Sequence, residues 1–420
     1  MKKIFFLLVV STALISCSKD VDDTDSGLQD FTITLNVDAN HRFSNFQVST
    51  HAFLSDENGT ILDSGELRLG ETTTLSFTGT SSLHYDLSYI QYDNIVDLGI
   101  DVYSLVTFTN IDEGSYYIGP TSLIENSNDE IFINLTNTGY PFEVTSSTSG
   151  ISISGPENGG YFNFSSNLAG SPTSDFYTSF KSPNDQFERY FWQRDIPEGS
   201  VFNIDYNTLP EITDVVNTQI PSNDYSNFSL EGLKNDDENN IRHNIEIGNF
   251  AGGTSSLSTS VPSNVFDYFL FNVSFSNDNA GYSKQLRTTS IPAQIDAPTL
   301  DFTVNNPSSQ NFNMSTTGEA TIYSVIFRAE NTDGTVLVSH NILGEVKPEI
   351  TFSKEDLRRN IQQTYPELTG FETLPLGSAS LIYYSLTNSY LDILNYRIQG
   401  DYYEIPETNG FVDSRSKQFD

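Results

Sequence analysis

Cysteine is nearly missing from this 420-residue chain: Cys17 is the only one. With that thiol committed elsewhere, the body has no disulfide to draw on, and cysteine catalysis downstream is excluded. Basic residues are also scarce, 20 Lys and Arg against 55 Asp and Glu, for a formal net charge of −35. So acidic a surface repels phosphates and anionic lipid, which argues against DNA or RNA binding as a main role. Long apolar runs are lacking. Residues 4–15 reach about half of the roughly 20 residues that span a bilayer, so a retained transmembrane helix is not expected. Catalytic signatures are missing too. There is no Gly-x-Ser-x-Gly elbow and no glycine-rich phosphate loop. The histidines His41, His51, His84, His243 and His340 stand too far apart for a His-Glu-x-x-His zinc helix. No catalytic residue is assigned.

The N-terminus is informative. Lys2 and Lys3 precede an unbroken apolar stretch, residues 4–10, and the small residue Ser16 precedes Cys17. That order marks a secretory signal over residues 1–16. Leu14-Ile15-Ser16-Cys17 resembles the bacterial lipobox, and Ser18-Lys19-Asp20-Val21-Asp22-Asp23 resembles the export signal of surface lipoproteins of Bacteroidetes. The resemblance implies cleavage before Cys17, lipidation of its thiol and anchoring in the outer membrane, facing outward. Ser18 in place of Asp argues against retention at the inner membrane. Removing residues 1–16 takes away two lysines and no acid, moving the net charge to −37.

Residues 17–28 carry four aspartates and no apolar period, which predicts an extended acidic tether. From Phe31 the period is two: Phe31, Ile33, Leu35 and Val37 alternate with polar residues. Seven to eight short strands are expected over residues 29–138, the density of an immunoglobulin-like β-sandwich, without its Cys…Trp…Cys pattern. Asn58-Gly59 predicts a tight hairpin turn. The segment around it, Ser55 to Ser64, is echoed by Ala329 to Ser339, through either a diverged repeat or convergent turn chemistry. A second β domain is expected over 139–296, closing in a proline-bearing linker at 291–298. A third is expected over 297–420, and it forms either its own unit or one unit with the second. The third holds the single expected helix, 354–363, with Ser353 as cap and Asp356 completing the capping box. Strands are expected at 380–386 and 394–398, and residues 413–420 are expected to fray. The fold class is therefore all-β, with tandem immunoglobulin-like sandwiches.

Candidate ligand-binding residues are aromatic. Tyr190-Phe191-Trp192 contains the only tryptophan, and Tyr190 and Trp192 fall on one strand face. Tyr402, in Asp401-Tyr402-Tyr403-Glu404, is a second candidate. Rings of this kind suit glycan faces; the competing reading is sandwich core. Asp236 and Asp237, with Asp56-Glu57-Asn58, are weak calcium candidates that do not fit an EF-hand order. No other cofactor is expected. The reading is a lipid-anchored surface protein with a binding or adhesion role toward a glycan or an envelope protein. Alternatives are an assembly subunit of an envelope complex and a hydrolase of extracellular polymers.

Overall fold

The computed structural model describes residues 28–39, 47–80, 84–118, 126–137, 143–146, 152–154, 162–169, 173–181, 185–197, 199–235, 242–251, 253–262, 264–277, 280–331, 333–368, 373–387, 389–398 and 410–419. Cys17 and the tether up to residue 27 lie outside them, and Leu28, expected to end the tether, opens the first strand. The first strand illustrates why the chain folds as sheets. Ile33, Leu35 and Val37 are buried while their polar neighbours are not, so one face of the strand drives burial.

The first unit contains β1 (Leu28–Val37), β2 (Gln47–Asp56), β3 (Ile61–Glu66), β4 (Thr72–Thr80), β5 (Tyr85–Ile95), β6 (Ile100–Ile111) and β7 (Gly114–Ile118). Lettered A to G in order, these form a DAG sheet and a CBEF sheet. Ile33, Leu75 and Tyr116 of DAG share a core with Leu54, Leu87 and Phe108 of CBEF. Strand G runs parallel to A; the other pairs are antiparallel. The all-β sandwich expectation holds. An immunoglobulin constant-type sandwich sets ABED against CFG, so the strand order here is different.

The second unit contains β8 (Asn126–Thr136), β9 (Glu143–Ser146), β10 (Ser152–Ser154), β11 (Phe162–Ala169), β12 (Thr173–Lys181), β13 (Glu188–Pro197), β14 (Val201–Asp205) and β15 (Glu211–Ile212). In the same lettering it sets CDAG against FEB, with β15 added beside F. Strand G is again parallel to A. β8, expected to close the first domain, opens this second unit instead.

The third unit contains β16 (Asp214–Gln219), β17 (Tyr225–Leu233), β18 (His243–Ala251), β19 (Ser256–Val261), β20 (Tyr268–Asn277) and β21 (Ala280–Thr288), arranged as DA against CBEF. The expected linker at 291–298 takes the place of strand G. Gln219 donates its N–H to the Ala293 carbonyl at 2.9 Å and accepts from the Ile295 N–H at 2.8 Å, in a parallel bridge. Ile295 is buried, so this segment is docked, despite its prolines.

The fourth unit contains β22 (Asp301–Asn306), β23 (Phe312–Thr317), β24 (Ile322–Glu330), β25 (Val336–Glu345), β26 (Glu349–Phe352), α1 (Glu355–Ile361), β27 (Leu376–Tyr384), α2 (Tyr390–Ile398) and β28 (Phe411–Gln418). With β23 lettered A, the order is again DA against CBEF, and β22 fills the edge beside A antiparallel. The two echoing turns thus lie between strands B and C of equivalent units. In both, a turn aspartate accepts the amide two to four residues on: Asp56 from Asn58 and Thr60, Asp333 from Thr335. This favours the repeat reading of the echo.

Three expectations in the fourth unit are corrected. Lys354, not Ser353, stands at the N-cap of α1 and makes no side-chain cap bond, while Asp356 pairs with Arg359 at 2.7 Å. A second helix, α2, replaces the strand expected at 394–398. Tyr390, Ile393, Leu394 and Ile398 are buried at helical spacing against the first unit. Residues 411–418 form β28, paired on both sides, where fraying was expected.

The three CBEF sheets join edge to edge into one twelve-stranded sheet: CBEF of the third unit, then FEBC of the fourth, then FEBC of the first. β21 and β28 form one seam, antiparallel, and β25 and β6 form the other, parallel. β28 is polar because its side chains bond on two sides: Asp413 meets Lys284 across the seam with the third unit, while within the fourth unit Arg415 meets Asp301 and Lys417 donates to the Phe302 carbonyl.

Candidate functional site

Among the described residues, four buried side chains, Asp86, His340, Lys354 and Arg358, lie together where the fourth unit covers the first. β5 is buried on both faces at its start: Tyr85 and Leu87 face the first unit's core, while Asp86 and Ser88 face α1. Lys354 Nζ is 2.5 Å from Asp86 Oδ2 and donates to the Glu57 carbonyl at 2.9 Å. The lysine and aspartate side chains are only 2% and 3% exposed. Asp86 Oδ1 accepts the backbone N–H of Asn110 at 3.0 Å; Asn110 holds a left-handed φ of 54°. Burial pushes the Asp86 carboxyl above the usual carboxylate range, against the pull of Lys354.

A hydrogen-bonded chain runs alongside. Arg358 Nη1 is 3.2 Å from His340 Nδ1, His340 Nε2 is 2.8 Å from Thr107 Oγ1, and Thr107 Oγ1 is 2.8 Å from Ser88 Oγ. A guanidinium only donates, so Nδ1 accepts and Nε2 carries the proton toward Thr107. Burial, then Arg358 and Lys354, hold His340 well below the usual histidine range, in keeping with this neutral tautomer. Arg358 also donates to Ser309 Oγ at 3.0 Å.

Beside the pair opens a groove of about 430 Å³ whose lining includes Asp86, Lys354, His84, Glu345, Lys347 and Glu349. Chemically, the pair offers a lysine nitrogen in contact with a carboxyl, both side chains nearly shielded from water. No local pattern in the sequence points to it. Period-two alternation marks a strand at Asp86 and Ser88 and a capped start marks a helix at Lys354, but neither signal shows their burial, because the two partners are 268 residues apart.

The aromatic candidates occupy a different junction. Tyr190 and Trp192 share a face as expected, with Phe191 on the other side of β13 in the second unit's core. Both are half-buried and pack on the third unit. The Trp192 ring stands edge-on to His243 at 5.0 Å and to Phe266 at 5.5 Å, and Tyr190 lies 6.2 Å from Tyr177. Arg189 binds Glu211, and Arg194 binds Asp175. His243 is fully buried with no hydrogen-bond partner on either ring nitrogen among the described residues, and burial pushes it down to about 4. Nearby on β18, burial and then Glu188 push Glu246 up to about 7.

Tyr402, Asp236 and Asp237 lie outside the described residues, as does Cys17. Among the described residues, no three His, Cys, Asp or Glu side chains cluster to hold a metal ion. The Asp56 carboxylate, a weak calcium candidate, is taken up by amides of its own turn. No family model matches the chain, and no curated protein matches it. The architecture defines a multi-unit all-β protein in which three of the four described units set a sheet containing DA against a CBEF sheet.

Proposed function

We propose that this chain is a lipid-anchored protein of the bacterial outer membrane that presents a binding surface outside the cell. The observation that supports this most is the edge-to-edge joining of three sheets into one. Backbone hydrogen bonds across both seams hold the units at fixed positions, which suits display of a surface on a tether. The lipobox-like segment ending at Cys17 supplies the anchor, and acidic residues 17–28 supply the spacer. Replacing Cys17 with Ser tests the reading. The wild-type protein is expected in the membrane fraction and open to protease added to intact cells, with the serine variant released. Protection of the wild type from external protease, or membrane retention of the variant, refutes it.

An envelope protein is the better-supported partner. Val96 and Leu98, at the tip of the β5–β6 hairpin, are 78% and 67% exposed. Tyr190 and Trp192, the residues first considered for glycan contact, are engaged in packing. A calcium ion and a glycan ligand remain proposals that rest on Asp236, Asp237 and Tyr402.

A further inference from the structure

We propose that Lys354 and Asp86 are joined by an intramolecular amide bond that locks the fourth unit to the first. Three observations carry this. A lysine nitrogen 2.5 Å from a carboxyl oxygen stands within about 3–3.5 Å of the carboxyl carbon, the range of a near-attack arrangement. Both side chains are almost wholly shielded from water, which would otherwise compete for the carbonyl carbon and stabilise the separated ions.

The partners already in place are also those an amide requires. The Glu57 carbonyl accepts from Nζ, and the Asn110 amide donates to Oδ1. After reaction the amide N–H keeps the first of these bonds and its C=O keeps the second. During the reaction the Asn110 N–H faces the oxygen on which negative charge develops.

The step balances without a co-reactant. Moving one proton from Nζ to Oδ2 turns the ion pair into amine and carboxylic acid with no change in net charge. The Asp86 carboxyl, shifted upward by burial, favours that form. The Nζ lone pair then attacks Cγ. The new C–N bond forms, the Cγ–Oδ2 bond breaks, and the surplus proton on nitrogen leaves with Oδ2 as one water. The groove beside the pair gives that water an exit.

Protease mapping of the full-length protein by mass spectrometry tests the proposal. The expected result is a branched species in which the peptides carrying Asp86 and Lys354 are joined, one water lighter than their sum. Lys354→Arg should abolish that species. In denaturant, the wild-type chain should also be more compact than the Lys354→Arg chain, because residues 86 and 354 still close a loop. Recovery of both peptides only in free form from the folded wild type overturns the proposal, whatever the variant does. Persistence of the branched species in Lys354→Arg overturns the assignment of the lysine.

Discussion

Lys284 on β21 and Asp413 on β28 meet at 2.6 Å across the seam between the third and fourth units, neither more than 19% exposed. The ammonium also lies 4.4 Å from the centre of the Phe411 ring. Removing one member strands the other charge. Asp413→Ala is expected to cost about 2–4 kcal/mol, somewhat below the cost at a fully buried pair. Combining Lys284→Met with Asp413→Leu should recover most of that loss, since a shape-matched apolar pair removes the stranded charge. Urea unfolding of the wild type and the two variants measures this. A loss below about 0.5 kcal/mol for Asp413→Ala would show that the pair does not hold the seam.

What the sequence could convey depends on whether a residue's partners are local. Alternation in residues 31–37 announces a one-faced strand, and the Asp56 and Asp333 turns announce hairpins, because both signals are local. β28 announces nothing: its polar side chains find their partners in Asp301 and Lys284, more than a hundred residues away. The same holds for Asp86 and Lys354, whose burial exists only once α1 covers β5. Helix α2 was misread for another reason. Its short apolar run fits either period, and only the first unit's surface selects the helical one.

The β2–β3 turn touches the helix of the fourth unit. A Cβ at Gly59 would sit 2.6 Å from the backbone nitrogen of Leu357, and φ there is 88°. At Gly99 φ is 64°, and a Cβ would meet nothing within 4 Å. Gly99→Ala should therefore cost about 1 kcal/mol, the conformational penalty alone. Gly59→Ala adds a backbone collision and should cost at least about twice that. Equal losses in thermal unfolding would mean that the turn does not bear on α1.

Acid should act on the second and third units through two opposed groups. His243 is held near 4, below its free value, so the folded state resists its protonation. Its contribution is full above the unfolded value and fades as pH falls from about 6.5 to 4, by about 2–3 kcal/mol. Asp175 works weakly against that shift. Glu246 is held near 7, above its free value. Its contribution is full below about 4.5 and fades as pH rises toward 7. The two slopes oppose one another over the same window. Relative to wild type, His243→Phe should gain stability on acidification, and Glu246→Gln should lose it. Urea midpoints at several pH values test this; parallel curves for all three proteins would refute it.

Trp192 should behave as a packing residue. Trp192→Ala is expected to lose about 2–4 kcal/mol, toward the lower part of the range for large aromatic truncations because the ring is half-buried. Trp192→Phe, which keeps an aromatic ring near His243 and Phe266, should lose less than half as much. Any polysaccharide binding lost in the alanine variant but kept in the phenylalanine variant would then report folding. Binding lost in both, with stability kept in the second, would restore Trp192 as a contact residue.

The β5–β6 tip is the place to look for a protein partner. Its stem is braced: Asp101 accepts from Tyr92 at 2.9 Å and from Asn94 at 2.6 Å, so Val96 and Leu98 are carried on a fixed support. Two bare aliphatic side chains on a rigid turn gain by insertion into an apolar recess, whereas a glycan offers them little. Replacing both with Asp should change stability by no more than about 0.5 kcal/mol, since neither is packed. The same change should abolish recovery of a stoichiometric partner in cross-linked pull-downs from intact cells. Undiminished recovery would remove the tip from the interface, and a large stability loss would show that the two residues are packed and not displayed.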